Sequence, residues 1–381
     1  MKIGISKISF FVPKYYLSLA TLAEARGADP LKYTNGLLQN KMAVAPINQD
    51  IVSMAANAAS NILTEEDKKD IDLVLFATES GIDHSKAAAT NLAQLLNLKS
   101  EIRAIELKQA CYSATIALYF AKGHILQNPN SKVLVVGSDI ARYGLETDGE
   151  PTQGAGAVAM LITKKPKILV LENTYAFNTS NIYDFWRPVT MDYALVDGHF
   201  SNEQYKAFFK TTFEKYQEKS GLTLADFKAM TFHIPYTKIG LRSLQTIAKL
   251  STHPELFKNF EYSTTYNKEV GNIYTGSLYL SLISLLENGK LKSKDRIGMF
   301  SYGSGAVAEF FSGILVPGYK KHLVKDIHKQ ILKNRQKLTF NAYAKMLTDI
   351  PKNDVLVEYE DDQTFQLVEI SDYERKYMKK A

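Results

Sequence analysis

The 381-residue chain has one cysteine, Cys111, so no disulfide can form within it. None of its uninterrupted apolar runs approaches the ~18 residues of a membrane span. Met1 to Phe11 lacks the charged start, long apolar run and small-residue cleavage site of a secretory signal. The expectation is a cytoplasmic protein with no membrane partner. Charge of one sign is also scarce: 46 Lys and Arg against 40 Asp and Glu leave a net +6, with the two signs interspersed. No nucleic-acid motif accompanies that mild excess, so a nucleic-acid partner is excluded, whereas an anionic small substrate is compatible with it. The seven histidines are scattered, with no HExxH and no Cys/His cluster, so no metal site is expected. With 45% hydrophobic residues the chain can bury a large core, in about two domains or two halves of one.

Lys2 to Val12 is strand-like and stopped by Pro13. A polar, turn-rich segment follows, punctuated by Gly27, Asp29, Pro30 and Gly36, of the kind that covers a site or an interface. Asp50 to Leu63 is an Ala-rich helix whose small residues imply close packing. IDLVLFATES then reads as a central strand, apolar on both faces, with Glu79 at its C-terminal end. A second helix is expected over Ser85 to Leu98, and KVLVVGSD is another buried strand ending at Gly137 and Ser138. Between these lies ELKQACYSATIALYFAKG, a short strand, a turn and a helix, which places Cys111 where a helix begins. Two readings fit such a cysteine. It is a small buried hydrophobe, or it is a nucleophile whose thiolate is stabilised by unpaired N–H groups and the positive dipole end.

The order of elements then repeats. SNEQYKAFFKTTFEKYQEKSG is again a helix, ADFKAMTFHIP matches DIDLVLFATES, KEVGNIYTGSLYLSLISLLENG matches the cysteine element, and RIGMFSYGSG matches KVLVVGSD. From Glu79 to Cys111 is 32 positions, and from His233 to Asn272, at the matching places, is 39. Two α/β halves related by a pseudo-twofold axis, meeting near residue 170, would bring these four residues together beyond the strand ends. Such a set supplies a soft nucleophile, a carboxylate base and an imidazole that can polarise a carbonyl or accept the thiol proton. The turns YGSGA and GSD offer backbone N–H groups for an oxyanion hole.

At this point the strings ATESGID, LKQACYSAT, FHIPYTK, GNIYTGSLY and SYGSGA resemble the 3-hydroxy-3-methylglutaryl-coenzyme A (HMG-CoA) synthase family, of the bacterial mevalonate-pathway type. AEARGADPLKYT and EPTQGAGAVAM share the resemblance, which runs from about Lys2 to about Tyr319. It implies an α/β thiolase-like fold, two pseudo-symmetric halves in layered αβαβα order (1–170 and 171–381), and a homodimer. It also implies condensation of acetyl-CoA with acetoacetyl-CoA, without a cofactor beyond these thioester substrates. By motif, Cys111 would carry the acetyl group, Glu79 would deprotonate its methyl, and His233 with Asn272 would hold the acceptor ketone. Thr152, Ser201 and Ser304 match positions near the acyl chain. Asp29, Lys32, Lys238 and Arg242 match positions along the coenzyme, Arg242 standing where the family has lysine. Asp83, Asp139 and Asp184 would support the catalytic groups from behind. The Lys-rich tail, Lys320 to Ala381, carries no functional motif and reads as a solvated helical face.

Three alternatives stay in view. A decarboxylating ketoacyl synthase needs no catalytic glutamate, so ATES at Glu79 argues against it. A polyketide β-branching synthase uses the same Glu, Cys and His on carrier-protein substrates, and a positive groove around Lys32, Lys238 and Arg242 favours free CoA. A non-enzymatic scaffold on the same fold would show gaps in the catalytic set, and none is present.

Overall fold

The computed structural model describes residues 1–357 and 362–380. Its main strands are β1 (Ile3–Phe11), β2 (Ile71–Ala77), β3 (Arg103–Leu107), β4 (Lys132–Ala141), β5 (Gly154–Lys164), β6 (Leu169–Thr179), β7 (Ala229–Phe232), β8 (Arg296–Gly303) and β9 (Val307–Leu315). They are hydrogen-bonded in the order β7-β8-β9-β6-β1-β5-β4-β2-β3. β2 pairs in parallel with both β3 and β4, and β4, β5 and β1 continue antiparallel. The second group repeats this: β7 and β8 are parallel, and β8, β9 and β6 antiparallel. The two groups join where Gly4 pairs with Val170 and Ile5 with Leu169.

Three packed clusters show why the order is layered. Helices α1 (Ile51–Ser60) and α2 (Ala88–Leu95) bury Val52, Ala55, Ala59 and Leu92 against Val74, Phe76, Leu134 and Val136. Helices α3 (Ser113–Gln127) and α4 (Ser277–Asn288) fill the middle, with Ala117, Leu118, Leu282 and Ile283 packed on residues of both strand groups. Outside the second group lie α5 (Gly198–Ser220) and α6 (Thr237–Ile247), whose Phe209, Phe213 and Leu244 meet Phe232, Phe300 and Phe310. The result is the α/β, αβαβα arrangement that the resemblance implied, built from the two halves that the repeat suggested. Strands covered on both faces are apolar almost throughout, as β2 and β5 are.

Several expectations need correction. β4 continues to Ala141, three residues past Ser138, because β5 pairs with it that far. The second helix spans only Ala88–Leu95, since the amides of Ser85 and Lys86 bind the Asp83 side chain in a turn. Before Asn272 there is no strand corresponding to β3 among the described residues, only a helical turn over Asn267–Val270. The tail is not a solvated helical face. It holds two short helices, Lys325–Lys333 and Phe340–Thr348, and a hairpin, Phe365–Ser371 with Glu374–Lys379. His328 is fully buried between Glu287 and Ser9, and Phe365 packs against α1. Asp50, which caps α1 through Val52 N and Ser53 N, also accepts from Tyr377 and Arg375 of the hairpin. Frequent lysines on one face of these elements hid the apolar residues on the other.

Candidate active site

β2 and β7 lie in opposite groups of the sheet, yet the loops that leave them bring their side chains to the surroundings of Cys111. Glu79 follows β2 by two residues and His233 follows β7 directly. Cys111 lies in the turn before α3, where Ala110 takes a left-handed backbone (φ 44°) that its side chain disfavours. That turn docks on the end of β8, and it can do so because of Gly303. A Cβ there would stand 2.5 Å from Gln109 O and 2.7 Å from Tyr112 N. In the second half, Gly271 (φ 88°) brings Asn272 against β5 with the same economy of space; a Cβ would meet Gln153 O at 2.0 Å.

A cavity of about 340 Å³ opens between the halves, lined by Cys111, Thr152, Ser201, His233, Asn272 and Ser304. A larger groove of about 620 Å³ beside Tyr119 and Phe177 has only Lys219 and Glu309 as charged lining. Cys111 Sγ donates to Glu79 Oε1 at 3.0 Å. Burial, then the neighbouring charge of Asp139, pushes the Glu79 carboxyl up to about 8. Burial and the adjacent Glu79 push the Cys111 thiol well above its ordinary value. This corrects the expectation of a dipole-stabilised thiolate. α3 begins only at Ser113, the amides of Tyr112 and Ser113 are taken by the turn, and a carboxylate at 3 Å outweighs the helix end. Both members of the resting pair are held toward their protonated forms, and the thiol proton faces Glu79.

His233 is 2% exposed, and burial lowers its imidazole to about 3, so it is neutral. Its Nδ1 has no hydrogen-bond partner among the described residues, while its backbone is fixed by Phe300 O and Tyr205. Asn272 Oδ1 accepts from Tyr274 N and Ser277 Oγ, which fixes the amide so that its NH₂ group remains for other acceptors.

Asp139 is buried behind the pair. Its Oδ1 accepts from Thr78 Oγ1, Glu79 N, Ser80 N and Ser80 Oγ, and its Oδ2 from Thr275 N and Oγ1. Asp184, equally buried, accepts from Tyr302 and from Gly305 N, with Ser201 Oγ at 3.4 Å. Asp83 is different: it is exposed and caps its own turn, so its expected support of the catalytic groups is replaced by a local role. Several of the oxyanion donors expected in YGSGA and GSD are engaged elsewhere. Gly305 N binds Asp184, Ala306 N binds Ser180 O, and Gly137 to Asp139 lie within β4.

The remaining positions lie outward. Asp29 is exposed and caps the short helix Pro30–Thr34 through Leu31 N. Lys32 is exposed on that helix, and Lys238 Nζ donates to Asn35 O at its end. Arg242 is exposed one turn further along α6, near Tyr236. Leu37, Tyr236 and Ile239 of the same two segments line the cavity, so the three cations stand at its rim.

Sequence reasoning missed the aromatic wall. Tyr143, Phe185 and Tyr274 pack on one another at 5.6 to 6.3 Å around Cys111, and the Tyr143 hydroxyl reaches Thr152 and Asn272. It missed Arg187, which donates to Glu79 O at 2.7 Å. The aromatic density of YDFW was the one available signal. Among the described residues no group of three or more His, Cys, Asp or Glu could hold a metal ion, and no helix is long and apolar enough to cross a membrane.

A thiol backed by a carboxylate can take up an acyl group and lose its proton, and on this five-layered frame that chemistry defines a thiolase-type acyltransferase. Comparison with known proteins narrows the class. Models of the hydroxymethylglutaryl-coenzyme A synthase N terminal and C terminal regions match residues 1–167, and 169–253 with 242–378. The chain is 50% identical to the hydroxymethylglutaryl-CoA synthase of Enterococcus faecalis, over 99% of this chain and 100% of that one. It is 31% identical to the polyketide biosynthesis 3-hydroxy-3-methylglutaryl-ACP synthase PksG of Bacillus subtilis, over 98% of each. A crystal structure of an HMG-CoA synthase complexed with CoA superposes with a TM-score of 0.97 at 44% identity, covering all of both chains. The protein belongs to the hydroxymethylglutaryl-CoA synthase family.

Proposed function

We propose that the protein condenses acetyl-CoA with acetoacetyl-CoA and water to give HMG-CoA and CoA, the synthase step of the mevalonate pathway. The observation that carries the mechanism is the 3.0 Å contact of Cys111 Sγ with Glu79 Oε1 in a cavity shared with His233 and Asn272. Glu79, ionised, takes the thiol proton as Cys111 attacks the acetyl thioester and passes it to the departing CoA thiolate, which leaves the carboxylate free again. Glu79 then removes a proton from the acetyl methyl. The carbanion adds to the ketone of acetoacetyl-CoA, whose oxygen lies toward neutral His233 and the Asn272 amide and ends protonated. Water last cleaves the Cys111 thioester. Neutrality suits His233 to hydrogen bonding, since an imidazolium could not persist there.

Thr152, Ser201 and Ser304 border the acyl end of the cavity. Asp139 and Asp184 hold the loops that carry Glu79 and Ser304. Lys32, Lys238 and Arg242 at the rim are suited to the coenzyme's phosphates, which favours free CoA thioesters over a carrier protein. The same proposal divides the chain near residue 170, with the tail as an extension of the second half. It places the enzyme in the cytoplasm as a homodimer. The sheet-edge strand β3, with Ile105 45% exposed, is an edge that a second copy could cover.

Intact-protein mass after brief incubation with acetyl-CoA, then with acetoacetyl-CoA, tests the reading. A single acetyl adduct that needs Cys111 and discharges into a six-carbon acyl-CoA is expected. No adduct from acetyl-CoA, with one from acetylated carrier protein, would replace it with the carrier-protein reading.

A further inference from the structure

The ribbon of Phe185–Trp186 paired with Leu195–Val196 comes from the second half, yet it reaches the strand ends of the first. Phe185 and Val196 line the cavity. The next residue, Arg187, extends past it, and its Nη2 donates to Glu79 O at 2.7 Å. On the other side Asp139 Oδ1 accepts from Glu79 N at 2.9 Å and Ser80 N at 3.0 Å. β2 has ended at Ala77, so these peptide groups have left the ladder and need partners of another kind. An anion holds the N–H side of Glu79 and a cation its C=O side, while the carboxyl accepts from Cys111.

We propose that Arg187 is a positioning residue for Glu79, fixing its peptide from the opposite half and lending positive charge that favours the ionised form of its carboxyl against Asp139. The inference rests on the condensation mechanism above. The groups that face the carboxyl are Cys111, Asp139, Tyr143, Tyr274 and Arg187, and Arg187 is the cation among them. Arg142 stands close enough to Arg187 to feel its charge. Removing the cation disfavours the carboxylate, so the fraction of ionised Glu79 at a given pH falls and activity rises only at higher pH.

The test is the pH dependence of condensation by the full-length enzyme, with Cys111 acetylation followed by intact mass. Arg187→Gln keeps a neutral donor and loses the charge. Its acid limb is expected to move alkaline by roughly half a pH unit, less than a buried ion pair would give because Arg187 is exposed. Arg187→Lys, which keeps the charge, is expected to restore the limb, and kcat falls in the glutamine variant while KM for acetoacetyl-CoA holds. Raising salt from about 0.05 to about 0.5 M moves the wild-type limb in the same direction, a readout that needs no variant to fold. A glutamine variant that acetylates Cys111 and shows the wild-type limb, or a wild-type limb indifferent to salt, overturns the inference alone. Failure of the wild-type Cys111 to take an acetyl group overturns the condensation mechanism, and this inference with it.

Discussion

The two halves share a frame and differ in chemistry. Each places one side chain just past a strand end and others in the turn before a central helix: Glu79 with Cys111 in the first, His233 with Asn272 in the second. Each turn contains a left-handed residue three positions before its helix, Ala110 at φ 44° and Tyr274 at φ 42°. Counted from Ser113 and Ser277, the counterpart of Cys111 is therefore Thr275, and not Asn272 as the spacing had suggested. Thr275 turns its hydroxyl to Asp139 and Ala77 O, across the pseudo-axis. The position that holds a nucleophile in one half thus braces the other half's carboxylates. The first half gathers acids, Glu79, Cys111 and Asp139, all pushed toward their protonated forms, and the second offers an imidazole pushed toward neutrality. Burial drives both in the same direction, away from charge. On the proposed mechanism, the duplication supplies one half that moves protons and one half that donates hydrogen bonds.

Breaking that division begins with its nucleophile. Cys111→Ser is expected to abolish the acetyl adduct and to lower condensation by more than about 10³-fold, measured by intact mass and by CoA release. A variant that condensed normally would move the nucleophile elsewhere. Glu79→Gln is the next largest. It retains acetylation of Cys111, slowed by about tenfold for want of an acceptor for the thiol proton, while condensation falls by about 10² to 10⁴-fold. Equal loss of both steps in a folded variant would remove the distinction between acyl transfer and carbon deprotonation.

How much of this could be read from residues depends on where each one sits. Glu79 and His233 were legible because an apolar run that ends in a titratable group marks a strand running to a site. Cys111 was legible as the one thiol before a helix, but its protonation was not, since that depends on a carboxylate 32 positions away in sequence. Asp139 and Asp83 were equivalent in sequence, and the fold separates them: Asp139 lies buried behind Glu79, whereas Asp83 caps its own turn. Arg187, Tyr143 and Tyr274 lie in loops, where neither period 2 nor period 3.6 says which way a side chain points. The tail was misread for a related reason. Its lysines dominate the composition, while the few residues that dock it, Phe365, Leu367 and His328, make no run.

His233→Ala sharpens the contrast from the second half. Acetylation of Cys111 is expected to stay within about threefold of wild type. Condensation falls by about 10- to 100-fold, chiefly through acetoacetyl-CoA, because a buried donor is lost and no proton acceptor is. Unchanged kinetics toward the second substrate would leave the imidazole without a role in acceptor binding.

The smallest effect is the most discriminating. If proton handling belongs to the first half alone, the pH profile of condensation has one acid limb, near the value of about 8 to which Glu79 is raised. Glu79 acts ionised, so activity rises with pH through that value, by about tenfold from one unit below it to the plateau. His233, held near 3, is neutral across the whole range and adds no limb between about pH 5 and 9. A second limb near 6.5 that disappears in His233→Gln would show the imidazole titrating during turnover. The second half would then handle protons as well, and the division of labour between the halves would have to be redrawn.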